Sequence, residues 1–165
     1  FQYRSPNIDE KKVKNLNNDK FDALKIARAK AENLSMKYKN KIIVTFDTTI
    51  LFKKKTIYKC TSKECCKQTL KSFNDKSHDL HTAMIFMINN NIIKSTLTKT
   101  KIIFKNTDVK DINNYVEKNF KEVSKAVGCY NIEGKGRVFF KDIYNSYFNI
   151  IGIDVINFLK TLKSI

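Results

Sequence analysis

The stretch "DLHTAMIFMINNNIIKSTLTKTKIIF", residues 79 to 104, carries the longest strand pattern in the chain. Its two halves, 79–88 and 92–104, are rich in β-branched and aromatic residues, which favour strands. The asparagines at 89 to 91 separate the halves, and asparagine is typical of tight turns. The stretch therefore predicts two long strands joined by a turn.

Helical patterns lie on both sides of these strands, because apolar residues recur there at helical spacing. The expected helices cover residues 19–39, 62–73, about 108–120 and about 153–163. Asp19, Ser62 and Asp108 stand at the start of the first three, where short polar side chains cap exposed N–H groups. We therefore expect amphipathic helices before and after the two strands.

Further strands are predicted on each side. "IIVTFDTTILF", residues 42 to 52, is followed by three lysines and "TIYKC", which indicates a hairpin returning toward Lys59. A loop from Gly128 to Gly136 leads to an expected strand at 137–140. Hairpins that alternate with helices indicate an α/β or α+β fold with a mixed sheet, of which we expect α/β, in a single domain over residues 1–165.

The charge of the chain is strongly positive, at +16, with 32 Lys and Arg against 16 Asp and Glu. Arginine occurs only at positions 4, 28 and 137, whereas base and bidentate phosphate recognition favour arginine. A solvated, lysine-rich surface is therefore favoured over a specific nucleic-acid face. A lysine-rich nucleic-acid binder is kept as a rival hypothesis, and a small anion such as a nucleotide is compatible with this charge.

Hydropathy indicates a soluble, cytoplasmic protein without a membrane partner. No apolar run approaches the ~20 residues of a membrane span, and no charged-then-apolar leader precedes the first strand pattern. A hydrophobic content of 42% suits a globular domain. The sequence starts at Phe1, so we expect an earlier segment to be missing.

Four cysteines are present, at positions 60, 65, 66 and 129. A structural zinc site usually has two pairs of ligands at short spacing, and the first three cysteines have no second pair. We therefore expect reduced, incidental thiols, as is usual in the cytoplasm.

Three polar residues interrupt apolar patterns and are candidates for chemistry. Asp47, inside "VTFDTTI", would cost several kcal/mol if it were buried without a partner, so it should face a cleft, a cation or a metal, or else pair with a lysine at the strand end. His78 suits either a catalytic base or a hydrogen-bonded structural histidine. Glu133, in "IEGKG", is a buried-looking acid beside two glycines, which alone is a weak signal. Neither a P-loop nor a Rossmann fingerprint is present.

Taken together, these segments resemble the Maf family of nucleoside triphosphate pyrophosphatases. The resemblance follows the chain in order through "NIDE" (7–10), "ARAKA" (27–31), "FDTT" (46–49), Lys59, "SHDLHTA" (77–83), "VGCYNIEGKG" (127–136) and "NSYFNIIGID" (145–154). The forms "VGCY" and "IEG" are most similar to the alphaproteobacterial branch of that family.

The resemblance implies a mixed, twisted sheet with flanking helices and two lobes around a central cleft, a fold of the Maf and ITPase type. It also implies hydrolysis of a noncanonical or pyrimidine nucleoside triphosphate to the monophosphate and pyrophosphate, in a house-cleaning role. A divalent metal cation, Mg²⁺ or Mn²⁺, is implied with it. Its partners would be the nucleotide and a second copy of the chain in a homodimer, with no specific nucleic acid.

Carried onto this chain, the resemblance assigns roles to individual residues. Asp47, Glu10 and Glu133 would be both the catalytic acids and the metal ligands. The substrate's phosphates would be bound by Lys30, Lys59 and Arg28, and Thr48 and Thr82 would shape the pocket.

The chain departs from the family pattern at its start, where an S-x-S-P-R-R phosphate loop is expected. "RSPN", residues 4 to 7, does not replace that loop because "NIDE" follows it directly. We expect either an N-terminally truncated Maf-like domain or a degenerate relative that binds nucleotides with weak catalysis.

Overall fold

The computed structural model describes residues 1–13 and 19–165. The α-helices are Asp22–Lys37 (α1), Lys63–Phe73 (α2), Val109–Val123 (α3), Tyr147–Ile150 (α4) and Val155–Leu162 (α5). The β-strands are Ile43–Phe52 (β1), Lys55–Ile57 (β2), Ser77–Ile88 (β3), Asn91–Phe104 (β4) and Phe140–Tyr144 (β5). Within the two described ranges, none of the helices combines the length and the apolar character needed to cross a membrane.

The strands form one sheet in the order β2-β1-β3-β4-β5. The α/β class with flanking helices is confirmed, but every pairing in the sheet is antiparallel, so the expected mixture of strand directions is wrong. The chain passes through β2 and α2 before it returns as β3 beside β1, and this route makes the β1 and β3 pair antiparallel. Sequence periodicity identifies strands but carries no information on their direction.

Tight turns join the two predicted hairpins where the sequence indicated them. Asn89 and Asn90 have φ values of 47° and 65°, and Lys53 and Lys54 have φ values of 48° and 61°. Two successive left-handed residues match the right-handed twist of the strands, and asparagine adopts this conformation readily. The predicted turns are confirmed.

The four predicted helices are present, but two of their three expected caps are not. The hydroxyl oxygen of Ser62 accepts a hydrogen bond from the Cys65 N–H at 3.2 Å, as predicted. Asp19 instead accepts from the N–H of Phe21 at 2.7 Å, in the turn before α1. Asp108 stands at the N-cap of α3 without a side-chain cap bond.

The prediction of a strand at 137–140 is wrong. Lys135–Phe139 forms a 3-10 helix, and β5 starts only at Phe140. A Cβ atom on Gly136 would lie 2.5 Å from the backbone oxygen of Asn131. This close backbone approach, which only glycine permits, keeps the segment coiled against the preceding loop.

Two hydrophobic cores lie against the sheet. Ala27 and Ala31 of α1 belong to one core with Ala83 and Ile85 of β3. The other core joins α2 and α3 to β3 and β4 through Leu70, Phe73, Leu80, Phe104, Ile112 and Val116. Because side chains alternate along a strand, β3 supplies both cores, one on each face of the sheet.

Two of the four cysteines are oxidised, so the prediction of reduced thiols is wrong for these two. Cys60 and Cys65 form a disulfide with their Cα atoms 5.6 Å apart, since the first turn of α2 brings Cys65 back beside Cys60. Cys66 and Cys129 are free and buried. Burial, together with Cys66, raises the pKa of the Cys129 thiol well above its usual range, so this thiol is neutral.

Candidate functional site

Asp47 lies on β1 just before the part of that strand that β2 covers. The pairing with β2 involves Ile50, Leu51 and Phe52 of β1. Asp47 itself pairs across the sheet with Ala83 of β3. Its carboxylate is therefore held by a rigid strand at the place where the sheet borders the cleft.

Lys30 of α1 joins two acids at this place. Its ammonium group donates to Asp47 Oδ1 at 2.6 Å and lies 2.7 Å from Glu10 Oε1. The side chains of Lys30 and Asp47 are only 16% and 8% exposed. Burial lowers the pKa of Lys30, but the two carboxylates outweigh burial and raise it overall, so the lysine is positively charged.

Burial raises the pKa of Asp47, whereas burial alone lowers the pKa of Lys30. Desolvation raises the pKa of Asp47 to about 6, although the charges of Lys30 and Lys59 favour its ionised form. Glu10 adds a smaller effect in the same direction as burial. A carboxylate with a pKa near neutrality can accept a proton from a reacting water molecule and release it again.

These groups border a cavity of about 870 Å³. Of the six predicted site residues, the structure brings four to its wall: Glu10, Asp47, Lys59 and Glu133. Lys30 stands directly behind Asp47 through its hydrogen bond. Arg28 is different, because it pairs with Glu32 at 2.8 Å on an exposed part of α1 and does not line this cavity.

Glu133 borders the cavity but is exposed, so the expectation of a buried acid is wrong. Its backbone N–H donates to Asn131 Oδ1 at 2.9 Å. The Asn131 amide in turn donates to Glu122 of α3. This loop therefore presents the Glu133 carboxylate to solvent in the cleft, and its glycines serve packing inside the loop.

One side of the cavity is basic in a way that sequence reasoning missed. Lys118, Lys121 and Lys125 all line it, and all three are exposed. Lys118 and Lys121 are three residues apart on one face of α3, and Lys125 lies in the turn that follows the helix. The recurrence of lysine at these three positions could have indicated the basic side of the cavity, but lysine is frequent in most segments of the sequence.

His78 is a structural residue, which confirms the second of its two predicted readings. Its ring is 3% exposed and stacks on Phe73 with centroids 4.2 Å apart. Nε2 is 2.9 Å from the hydroxyl of Tyr130. Burial lowers the pKa of His78 to about 3, so the ring is neutral at physiological pH.

Threonines connect β1 and β3 to the segment after β5. The hydroxyls of Thr48 and Thr82 are 3.1 Å apart, and Thr82 Oγ1 donates to the carbonyl oxygen of Asn149 at 2.8 Å. Gly152 lies beside Thr48 on the cavity wall. These bonds hold the "NSYFNIIGID" segment beside Asp47.

The chain is similar in sequence to several proteins of known name. A dTTP/UTP pyrophosphatase of Clostridium tetani is 30% identical over 158 residues, which cover 94% of this chain and 81% of that protein. A dTTP/UTP pyrophosphatase of Carboxydothermus hydrogenoformans is 30% identical over 142 residues, 86% of this chain and 75% of that protein. Another, from Fusobacterium nucleatum, is 29% identical over 166 residues, 100% of this chain and 84% of that protein.

The family model described as "Maf-like protein" matches residues 1–165. This match extends over every segment in which the sequence resembles the Maf family. The chain therefore belongs to the Maf-like protein family.

Proposed function

We propose that this protein hydrolyses a nucleoside triphosphate to the nucleoside monophosphate and pyrophosphate in its central cavity. The observation that carries the proposal is the contact of Lys30 with both Glu10 and Asp47 at the wall of that cavity. Membership of the Maf-like family and the names of the similar proteins support it.

The reaction requires an activated water molecule and neutralised phosphates. Asp47, with its pKa raised to about 6 by burial, would accept a proton from water. The water oxygen would bond to the α-phosphorus while the bond from that phosphorus to the bridging oxygen breaks, and pyrophosphate would leave with the electron pair. Lys30 would hold the Asp47 carboxylate in place through the bond that it donates.

Phosphate charge would be neutralised by the basic wall of the cavity. Lys59, Lys118, Lys121 and Lys125 line the same space as Asp47. Lysine acts as a point charge toward phosphate and does not require the fixed geometry of arginine. This wall would bind the triphosphate before and during bond cleavage.

The acids at the cavity are also suited to a divalent metal. Their ligand atoms would be carboxylate oxygens, which Mg²⁺ prefers. The carboxylates of Glu10 and Asp47 already contact one cation, the ammonium group of Lys30. Glu10 and Asp47 would hold Mg²⁺, or Mn²⁺ in its place, whereas Glu133 borders the same cavity but, among the described residues, does not form a close ligand group with them. When bound, the metal would neutralise charge on the phosphates and orient them.

A pyrimidine substrate is proposed from the comparisons. The three similar proteins are named dTTP/UTP pyrophosphatases. We therefore propose dTTP and UTP, together with noncanonical pyrimidine triphosphates, as substrates of this chain.

The test is to incubate the purified chain with Mg²⁺ and a panel of dTTP, UTP, CTP, ATP, GTP and ITP, and to measure pyrophosphate and monophosphate. We expect both products in equal amounts, fastest with dTTP or UTP, and their loss when EDTA is added. Nucleotide binding by calorimetry without any pyrophosphate release would instead indicate a degenerate nucleotide-binding protein. Release of inorganic phosphate as the first product would contradict cleavage at the α-phosphorus.

A further inference from the structure

Two buried cysteines from one short segment, Cys60 and Cys66, meet a third, Cys129, from a distant part of the sequence. The sulfur atoms of Cys60, Cys66 and Cys129 all lie within 4.8 Å of one another. Their residues are 3%, 0% and 0% exposed. Cys60 follows β2, Cys66 lies on α2 and Cys129 ends a 3-10 turn, so the start of α2 brings the first two thiols together and the tertiary fold adds the third.

The fourth cysteine competes for one member of this group. Cys65 is exposed and is bonded to Cys60 in a disulfide. Cys66 and Cys129 are free thiols. Cys60 is therefore shared between two arrangements, the disulfide with Cys65 and the group of three buried sulfur atoms.

The geometry of the three sulfur atoms suits a thiophilic cation. Zinc–sulfur bonds of about 2.3 Å in a tetrahedral site place the sulfur atoms close to ~4 Å apart, and the observed group lies within 4.8 Å. Cys129 also adopts φ = 61°, a left-handed conformation that is unusual for residues other than glycine, asparagine and aspartate.

We propose that reduction of the Cys60–Cys65 disulfide opens a metal site in which Cys60, Cys66 and Cys129 bind one Zn²⁺ or a similar thiophilic cation. A dithiol reductant supplies two electrons and two protons to the disulfide and becomes a disulfide itself. On binding, the cation displaces the protons of the three thiols into solvent.

This site would be separate from the acids of the cleft, but it would be coupled to the cleft through neighbouring residues. Lys59 and Tyr130 line the cavity and are adjacent in sequence to Cys60 and Cys129. A bound cation would cross-link the segment after β2, helix α2 and the 3-10 turn behind that wall. Thiolates prefer softer ions than carboxylates do, so Zn²⁺ and Mg²⁺ would occupy different sites.

Cobalt is the probe of choice for the test, because thiolate ligands give Co²⁺ an intense charge-transfer absorption and tetrahedral d–d bands that carboxylate ligands do not. The chain is reduced with a phosphine, freed of it under argon and titrated with Co²⁺. We expect these bands to saturate at one Co²⁺ per chain and to vanish on addition of Zn²⁺. The untreated disulfide form should not show them.

Cysteine variants distinguish the proposed metal ligands from Cys65, which only forms the disulfide with Cys60. Cys65→Ser removes only the exposed cysteine, so it should bind Co²⁺ with the same bands without any reductant. Cys66→Ser and Cys129→Ser, with circular dichroism to check folding, should lose the bands. Absence of the bands in both the reduced chain and Cys65→Ser overturns the proposal, even if the buried variants fail to fold. Unchanged bands in a folded Cys129→Ser variant would also overturn it.

Discussion

The ammonium group of Lys30 lies 2.6 Å from a carboxylate oxygen of Asp47, and both side chains are largely buried at the edge of the cleft. The two residues lie on consecutive elements, α1 and β1, which pack against each other. A buried pair of this kind costs desolvation energy for both ions. The same pairing fixes the carboxylate in one orientation toward the cavity, which suits a group that must act on a bound substrate.

Replacing Asp47 with Asn should abolish most of the activity. The amide cannot accept a proton from water and carries no charge for a metal, so we expect kcat/KM for pyrophosphate release to fall about 10²- to 10⁴-fold. Asp79→Asn is the matched control, because Asp79 pairs with Lys99 at 2.8 Å and does not line the cavity. Equal activity of the Asp47 variant and the wild type would contradict the role proposed for this acid.

The stability of the chain should depend on pH through Asp47. Burial raises its pKa to about 6 in the folded state, against about 3.9 in the unfolded state, so the folded state binds more protons between these values. The free energy of unfolding should therefore rise as the pH falls through 6, by about 1 kcal/mol between pH 7 and pH 5 from this group.

This pH effect can be isolated by comparing the wild type with Asp47→Asn in urea unfolding at pH 7 and pH 5, in EDTA and without nucleotide. Other carboxylates contribute to both proteins and cancel in the difference. Acidification should stabilise the wild type relative to the variant. A difference of the opposite sign would show that Lys30 keeps the pKa of Asp47 low.

The three lysines at and just after the end of α3 should contribute to substrate binding more than to the chemical step. Replacing Lys118, Lys121 and Lys125 together with Ala should raise KM for the triphosphate about tenfold, which corresponds to ~1.4 kcal/mol, with a smaller change in kcat. Lys110→Ala is the control, since Lys110 lies on the same helix but not at this cavity. Added salt should raise KM of the wild type more than that of the triple variant, and an equal salt effect in both would contradict phosphate binding by these lysines.

His78 should affect folding and not catalysis. Phe in its place preserves the stacking on Phe73 but leaves the buried Tyr130 hydroxyl without the partner seen at 2.9 Å, which should cost about 1 to 3 kcal/mol in the free energy of unfolding. Adding Tyr130→Phe should recover part of that loss, as urea titrations of the single and double variants will show. Unchanged unfolding of His78→Phe combined with a large fall in kcat would instead point to a catalytic histidine.

Local patterns in the sequence were sufficient for most of the secondary structure. The hairpin around Asn89 and Asn90 was predictable because strand propensity and turn chemistry act within a few residues. The cap at Ser62 was predictable for the same reason. The strand expected at 137–140 was not, because Gly136 packs against the backbone of Asn131, a contact that no local pattern encodes.

In the candidate site, too, local sequence patterns predict some features, and contacts between distant segments determine the others. The position of Asp47 within an apolar strand pattern is enough to show that it needs a partner or a cleft, since an isolated buried carboxylate is too costly. That this partner is Lys30, and that Arg28 pairs elsewhere, follows from the packing of α1 on the sheet, because only one face of the helix turns toward the sheet. Tertiary packing likewise brings Cys129 to Cys60 and Cys66, since contacts between distant segments depend on the path of the whole chain.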